Sequence, residues 1–310
     1  MQQASDINIL QTIGNTPLVK LSKIVPKGCA DIYVKLEYFN PTGSYKDRMA
    51  LAIIEGAETR GDIYPGKSIV EYTGGSTGTS LAFVCAVKGY PLTLVSSDAF
   101  AKEKLKTMQL FGATLEVIKA EGGKITPSLF VEMEEKVNEL ICEDGAYWVM
   151  QFHNDDALEG YRKLGKEIVS RLHKVDVFCA GVGTAGMLTG VSKELKEKNS
   201  DTKVIALEPA SAALLSTGIK GSHRIEGIGT GRIPPLLTKE SYDEVRAIEE
   251  SDARIMAKRL AAEEGIFAGT SSGLNVFAAI EIGKELGPGK TVVTVACDSG
   301  MKYLAGDLFD

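Results

Sequence analysis

The chain has 310 residues, 44% of them hydrophobic and 25% charged, with a net charge of −6. That length suggests about two domains with sizeable cores, the balance is that of a globular protein, and the acidic excess supplies no basic footprint for nucleic acid. No segment approaches the roughly 18 uninterrupted apolar residues of a spanning helix, and "MQQASDINILQTIGNTP" lacks the basic, apolar and small-residue regions of a signal peptide; no membrane association is expected, and the expected compartment is the cytoplasm.

Along the chain, strand-like apolar runs alternate with segments of 3.6-residue periodicity: "DIYVKLE", "KSIVEY", "LTLVSS", "TLEVIK", "VDVFCAG", "KVIALEP" and "TVVTVAC", with Met49, Ala50, Ile53, Ile54 and Ala57 as one helical stripe. Strand and helix in alternation predict an α/β fold with mostly parallel sheets covered on both faces. Roughly ten strand candidates suggest two sheets, and the polar loop after "GAYWVM" places a junction close to residue 148.

The first loop to raise a chemical question is "NPTGSYKDR", Asn40 to Arg48. Ser44 followed by Asp47 resembles a helix-capping pattern, which puts Lys46 in the first turn of the periodic segment. The positive end of a helix disfavours an ammonium ion there, and an amine so activated forms Schiff bases. Only three histidines are present, so neither a histidine-built metal centre nor a serine–histidine triad is expected, and lysine becomes the reactive group to consider. The five cysteines are scattered without disulfide or zinc spacing and are expected as buried, reduced thiols; no metal is expected.

Three further loops have the strand–glycine–helix form. In "EYTGGSTGTSLAFVCAVKGY" a strand ends in Gly74, Gly75, Ser76 and Thr77, a helix is expected from about Gly78, and exposed amides there can receive a carboxylate or phosphate. "VDVFCAGVGTAGMLTG" carries Gly181, Gly183 and Gly186 in the dinucleotide spacing G-x-G-x-x-G, with Glu208 ending the next strand, so an NAD-binding Rossmann unit is an alternative. "TVACDSGMKYL" ends a buried strand in Asp298 and Ser299, at the edge where parallel sheets bind ligands.

These four segments, in this order, resemble the cysteine synthase (O-acetylserine sulfhydrylase) and cystathionine β-synthase family of fold-type II pyridoxal phosphate enzymes. The resemblance runs from "IGNTPLVKL" to "MKYLAGDLF", and "GIGTGRIP" and "EEGIFAGTSSG" share it. It implies a tryptophan synthase β-like fold of two three-layer αβα domains with the site in the interdomain cleft. Residues 1–12 and 36–148 would form the smaller domain; 13–35 and 149–310 would form the larger.

The resemblance also implies roles. Lys46 would hold pyridoxal 5'-phosphate and move the α-proton; Gly183, Thr184, Ala185, Gly186 and Met187 would wrap its phosphate; Ser299 would face the pyridine nitrogen. Thr73, Gly74, Ser76 and Thr77, with Gln151, would receive the amino-acid carboxylate, and Gly227 and Gly229 would line the mouth. The implied reaction is β-replacement through an aminoacrylate, making cysteine from O-acetylserine and sulfide. Alternatives are O-phosphoserine or serine as donor, homocysteine as nucleophile, or a serine/threonine dehydratase, against which "GVGTAG" and "YKDR" speak. A homodimer and a serine acetyltransferase partner are implied as well.

The chain departs from the family's pattern in three places. Ser76 stands where an asparagine usually meets the cofactor's ring hydroxyl. Ala185 and Met187 replace a glycine and a threonine, leaving backbone donors for the phosphate. Asp298 stands where a second serine is usual; alternation along an extended segment directs it away from the side Ser299 faces.

Overall fold

The computed structural model describes residues 8–123 and 126–310. Ten strands run in chain order: β1 (Leu18–Lys20), β2 (Asp31–Leu36), β3 (Ile69–Tyr72), β4 (Leu92–Ser97), β5 (Thr114–Ile118), β6 (Tyr147–Trp148), β7 (Val177–Gly181), β8 (Lys203–Pro209), β9 (Glu244–Ile248) and β10 (Thr291–Ala296). Eight α-helices accompany them: α1 (Lys46–Arg60), α2 (Ser76–Lys88), α3 (Lys102–Leu110), α4 (Pro127–Asp144), α5 (Asp156–Arg171), α6 (Gly186–Lys198), α7 (Glu250–Arg259) and α8 (Thr270–Leu286). All seven quoted apolar runs lie on strands.

The chain divides into two compact units. One comprises Met1–Ile13 and Lys46–Gly160, of which 1–7 and 124–125 lie outside the described residues; the other comprises Gly14–Tyr45 and Tyr161–Asp310. Residues 13, 36–45 and 149–160 therefore group differently from the division drawn from the sequence.

The first unit holds a four-stranded, all-parallel sheet in the order β5-β4-β3-β6. β3 is buried along its whole length, and Val70 and Val95 pack with Leu129, Met133 and Val137 of α4. The predicted stripe of α1, from Met49 to Ala57, is fully buried. Burying each of Met49, Ile53 and Ile54 contributes about 1.5–3 kcal/mol.

The second unit holds six strands in the order β1-β2-β10-β7-β8-β9, parallel except for β1 against β2. Ile32, Val34, Val177, Cys179, Leu207 and Val276 belong to its core. α8 is buried on most of its surface and rides over β10 and β7, which requires its apolar, small-residue composition.

Two expectations need correction. α2 begins at Ser76 rather than at Gly78, because Gly78 and Thr79 already donate to the Gly75 carbonyl at 3.0 and 3.3 Å. The cysteines are not all buried: Cys142 is exposed and Cys29 half-buried, since Cys142 sits on the outer side of α4. Among the described residues no helix is long and apolar enough to cross a membrane.

Candidate active site

Both sheets reverse direction of growth once. In the first unit the chain lays down β3, β4 and β5 outward, then returns to place β6 on the other side of β3; in the second, β7, β8 and β9 are followed by β10 on the other side of β7. Loops leaving the two strands of such a switch point diverge and open a crevice at the carboxyl edge. Thr73 to Thr77, Gln151, Gly183 to Met187 and Ser299 follow these strands, whereas Lys46 begins α1 and Gly227 and Gly229 lie between β8 and β9.

In the first unit, Thr73 to Gly75 follow β3 and Gln151 follows β6. Thr73 Oγ1 accepts from Gly75 N at 3.2 Å, and the Thr77 hydroxyl donates to Gln151 Oε1 at 2.8 Å while Gln151 Nε2 donates to the Tyr72 carbonyl at 3.1 Å. Thr73, Thr77 and Gln151 are buried. Ser76 and Thr77 occupy the first turn of α2, with no side-chain cap at Gly75; first-turn amides lack intrahelical acceptors and point their N–H groups outward. Gly74 is required because a Cβ there would lie 2.2 Å from the Phe100 ring. The structure thus brings together Thr73, Gly74, Ser76, Thr77 and Gln151 at the start of α2.

Lys46 is the first residue of α1 and only 8% exposed. α1 thus begins two residues after Ser44. The chain is still extended there: Ser44 pairs in an antiparallel bridge with Asp298, and Tyr45 N donates to the Cys297 carbonyl at 3.1 Å. Upstream, Asn40 clamps the loop, accepting from Gly14 N at 2.8 Å and donating to Glu37 Oε2 at 2.9 Å.

In the second unit, Gly183 follows β7 and approaches the Gly227 carbonyl so closely that a Cβ would stand 2.2 Å from that oxygen. Gly229 N donates to the Val182 carbonyl at 3.0 Å, and Gly227 and Gly229 both take left-handed backbone, at φ 85° and 61°. Ala185, at φ 67°, is the uncapped N-terminal residue of α6, so Gly186 and Met187 present first-turn amides. Thr184 is buried beside them. Gly183 to Met187 and Gly227 to Gly229 therefore form one backbone-lined cradle.

At the β10 edge, Asp298 Oδ2 accepts from the Tyr303 hydroxyl at 2.8 Å, and burial drives that phenol well above its ordinary pKa. Ser299 caps the turn after it, accepting from Met301 N at 3.3 Å. Glu208, the acidic residue of the dinucleotide alternative, is spent on the amides of Leu215 and Ser216 at 2.7 and 2.9 Å.

Several residues here were not singled out from the sequence. Asn275 of α8 accepts from Gly181 N and donates to the Val295 carbonyl, both at 2.8 Å, pinning β7 to β10 beneath the cradle. Ser272 accepts from Cys297 N at 2.9 Å, and Ser271 beside it is 5% exposed with no hydrogen bond among the described residues. Lys104, nearly buried, brings its Nζ within 3.9 Å of a Cβ built on Gly75. Glu71 lies under the first unit's loop. Only side chains meeting across distant sequence reveal these positions.

The donor sets test the cofactor that the sequence suggests. A loop in which Gly183 packs directly on the Gly227 carbonyl and backbone amides open a 13-residue helix suits a phosphate dianion, and a buried lysine at the head of α1 supplies an amine. An α/β protein with anion-receiving loops at both switch points and such a lysine belongs among enzymes that carry an anionic cofactor. Comparison with known proteins agrees: residues 9–298 match the pyridoxal-phosphate dependent enzyme family.

The chain is 43% identical over 312 aligned residues to a cysteine synthase of Staphylococcus aureus, covering 100% of this chain and 99% of that one. Among solved structures, a cysteine synthase of Entamoeba histolytica superposes with a TM-score of 0.91 at 36% identity, covering 100% and 92% of the two chains. An O-ureido-L-serine synthase superposes at 0.90 with 36% identity, covering 97% and 94%. The chain is a member of the pyridoxal-phosphate dependent enzyme family.

Proposed function

We propose that the protein makes cysteine by β-replacement, exchanging the acetate of O-acetylserine for sulfide. The observation that carries this is the full-length likeness to a cysteine synthase at 43% identity, supported by glycine loops that open onto the N-termini of α2 and α6. Pyridoxal phosphate, when bound, supplies the electron sink that lets a Cα–H bond break and a β-substituent leave.

The chain's own residues do the rest. Lys46 Nζ holds the cofactor, then takes the α-proton from the substrate and later returns it. Gly183, Thr184, Ala185, Gly186 and Met187 neutralise the phosphate with backbone N–H groups, which need no side-chain ordering. A neutral serine hydroxyl would meet the pyridine nitrogen, with Ser299 and Ser271 the candidates at that edge, while Asp298 Oδ2 accepts from the Tyr303 hydroxyl. A neutral partner draws less charge into the ring than a carboxylate would, which favours loss of a β-substituent. Thr73, Gly74, Ser76, Thr77 and Gln151 fix the substrate carboxylate and so orient the bond to be broken. Gly227 and Gly229 border the entry, and Ser76 offers one hydroxyl where relatives present an amide.

Turnover with O-acetylserine, O-phosphoserine and serine, each with sulfide or homocysteine, tests the assignment. O-acetylserine with sulfide is expected to give the highest kcat/KM; a hundredfold preference for another pair would replace it. On this reading the protein works in the cytoplasm as a homodimer that docks a serine acetyltransferase tail, which sedimentation with and without such a tail peptide checks.

A further inference from the structure

Glu71 is a carboxylate with no exposure at all, on a strand buried from end to end. Taking such a group out of water is costly unless hydrogen bonds replace its hydration. Three donors converge on it: Tyr72 N at 2.9 Å and Trp148 Nε1 at 3.3 Å on Oε1, and Gln151 N at 3.0 Å on Oε2. Burial still pushes the carboxyl up to about 7, with Glu134 of α4 adding to the rise and the three donors opposing it.

What Glu71 holds is the turn that presents Gln151. Met150, just before it, has φ 54°, a left-handed conformation that a methionine adopts only when its surroundings impose it. The bond from Gln151 N to Glu71 is one of those constraints. Once that backbone is set, Gln151 Nε2 donates one proton to the Tyr72 carbonyl and Oε1 accepts from Thr77, at 3.1 and 2.8 Å. The amide orientation follows from the two partners. One Nε2 proton remains, and it sits beside the first-turn amides of α2.

We infer that Glu71 is a positioning residue for carboxylate recognition: it anchors the Met150–Gln151 turn to β3, and Gln151 in turn orients Thr77, so that the loop after β3 is preformed for an amino-acid carboxylate. This deepens the preceding reading, on which it rests, by adding a residue that does not itself touch substrate. A purely structural role for Glu71 would affect every ligand equally; a positioning role affects only ligands that have the carboxylate.

Trp148 is the only tryptophan of the chain and donates to Glu71, so its emission reports on this network. In Glu71→Gln, one of the converging N–H groups must face an NH2 instead of an oxygen. The expected result, from Trp148 emission of the holoenzyme, is an L-serine affinity lowered about tenfold with L-serinamide affinity unchanged within twofold; one tenfold step corresponds to about 1.4 kcal/mol. In turnover the loss should fall on KM rather than kcat. Equal losses for serine and serinamide, no loss for either, or a wild type that does not distinguish the two would each overturn the inference. Glu71→Asp keeps the charge but withdraws it by one methylene, and is expected to show a smaller loss of the same selectivity; should Glu71→Gln not fold, a carboxylate-blind loss in Glu71→Asp overturns the inference equally. Absence of wild-type turnover with O-acetylserine and sulfide would remove the proposed reaction, while the serine-to-serinamide ratio would still decide the role of Glu71.

Discussion

The two units repeat one topological device with different chemistry. In each, three strands grow outward and a fourth returns to the far side of the first, so the order β5-β4-β3-β6 has its counterpart in β9-β8-β7-β10. Under the first crevice lies an ionisable carboxylate, Glu71; under the second lies a neutral carboxamide, Asn275, doing the same job of tying the two switch-point strands. A phosphate-binding edge is best served by a tie that carries no negative charge, and a carboxamide offers both a donor and an acceptor. The first unit's loop is tied instead by a buried acid that accepts from three N–H groups, so on the proposed reading pH should act there first.

Lys46 belongs to neither tie, and its removal should have the largest effect. Lys46→Ala is expected to lower turnover by at least about a thousandfold, since nucleophile and proton carrier are lost together. Full turnover in that variant would mean neither loop serves the proposed chemistry. The check is steady-state kinetics on protein saturated with pyridoxal phosphate.

The contrast between the two ties can be read from stability. Glu71 has its folded-state pKa raised from the ordinary 4.5 to about 7, so the folded state holds its proton more tightly than the unfolded state. The stabilisation is fully present below 4.5 and is lost as pH rises through about 7. At about 1.4 kcal/mol per pKa unit, the loss is on the order of 3 kcal/mol. Urea unfolding of wild type and Glu71→Gln between pH 4.5 and 8 should therefore show a fall in the wild type that the variant lacks. Other carboxylates titrate in both proteins and cancel in the difference. Parallel curves would mean that Glu71 keeps an ordinary pKa.

A smaller effect is expected from the cradle of the second unit. In Gly183→Ala the new Cβ would stand 2.2 Å from the Gly227 carbonyl oxygen, a backbone atom with little room to yield. Cofactor affinity should drop about thirtyfold, roughly 2 kcal/mol, as measured by equilibrium dialysis of pyridoxal phosphate. Gly74→Ala meets the Phe100 ring at the same 2.2 Å, but a side chain can turn aside, so its loss should be smaller and confined to amino-acid binding. Equal losses would remove the distinction between a cradle made of backbone and a loop covered by a side chain.

Much of this was legible in the sequence because it is local. The seven strand runs, the stripe of α1 and the glycine loops are patterns within a dozen residues. The misreadings have physical causes. Gly78 looked like the start of α2 because glycine favours turns, yet Ser76 and Thr77 already have helical backbone. Glu71 lies within the run "KSIVEY", where a charged residue on a strand ordinarily faces water; only a sheet buried on both sides turns it inward. Asn275 is 94 residues from Gly181, and no periodicity connects them.

The smallest expected effect concerns the hydroxyl at the pyridine nitrogen, where the sequence points to Ser299 and the structure adds Ser271. Ser299 already accepts from Met301 N at 3.3 Å as a helix cap, so its removal loosens that turn as well as any ligand contact. Ser271 is 5% exposed and makes no hydrogen bond among the described residues, and a nearly buried hydroxyl with its proton unspent is better prepared to donate to a ring nitrogen. Ser271→Ala should weaken pyridoxal phosphate by about fivefold, near 1 kcal/mol, and shift the absorption of the bound cofactor; Ser299→Ala should change affinity by less than about twofold and leave the spectrum in place. The reverse outcome would return the nitrogen to Ser299. A spectral shift in neither variant would bring back Asp298, and with it a charged partner that stores negative charge in the ring instead of favouring loss of a β-substituent.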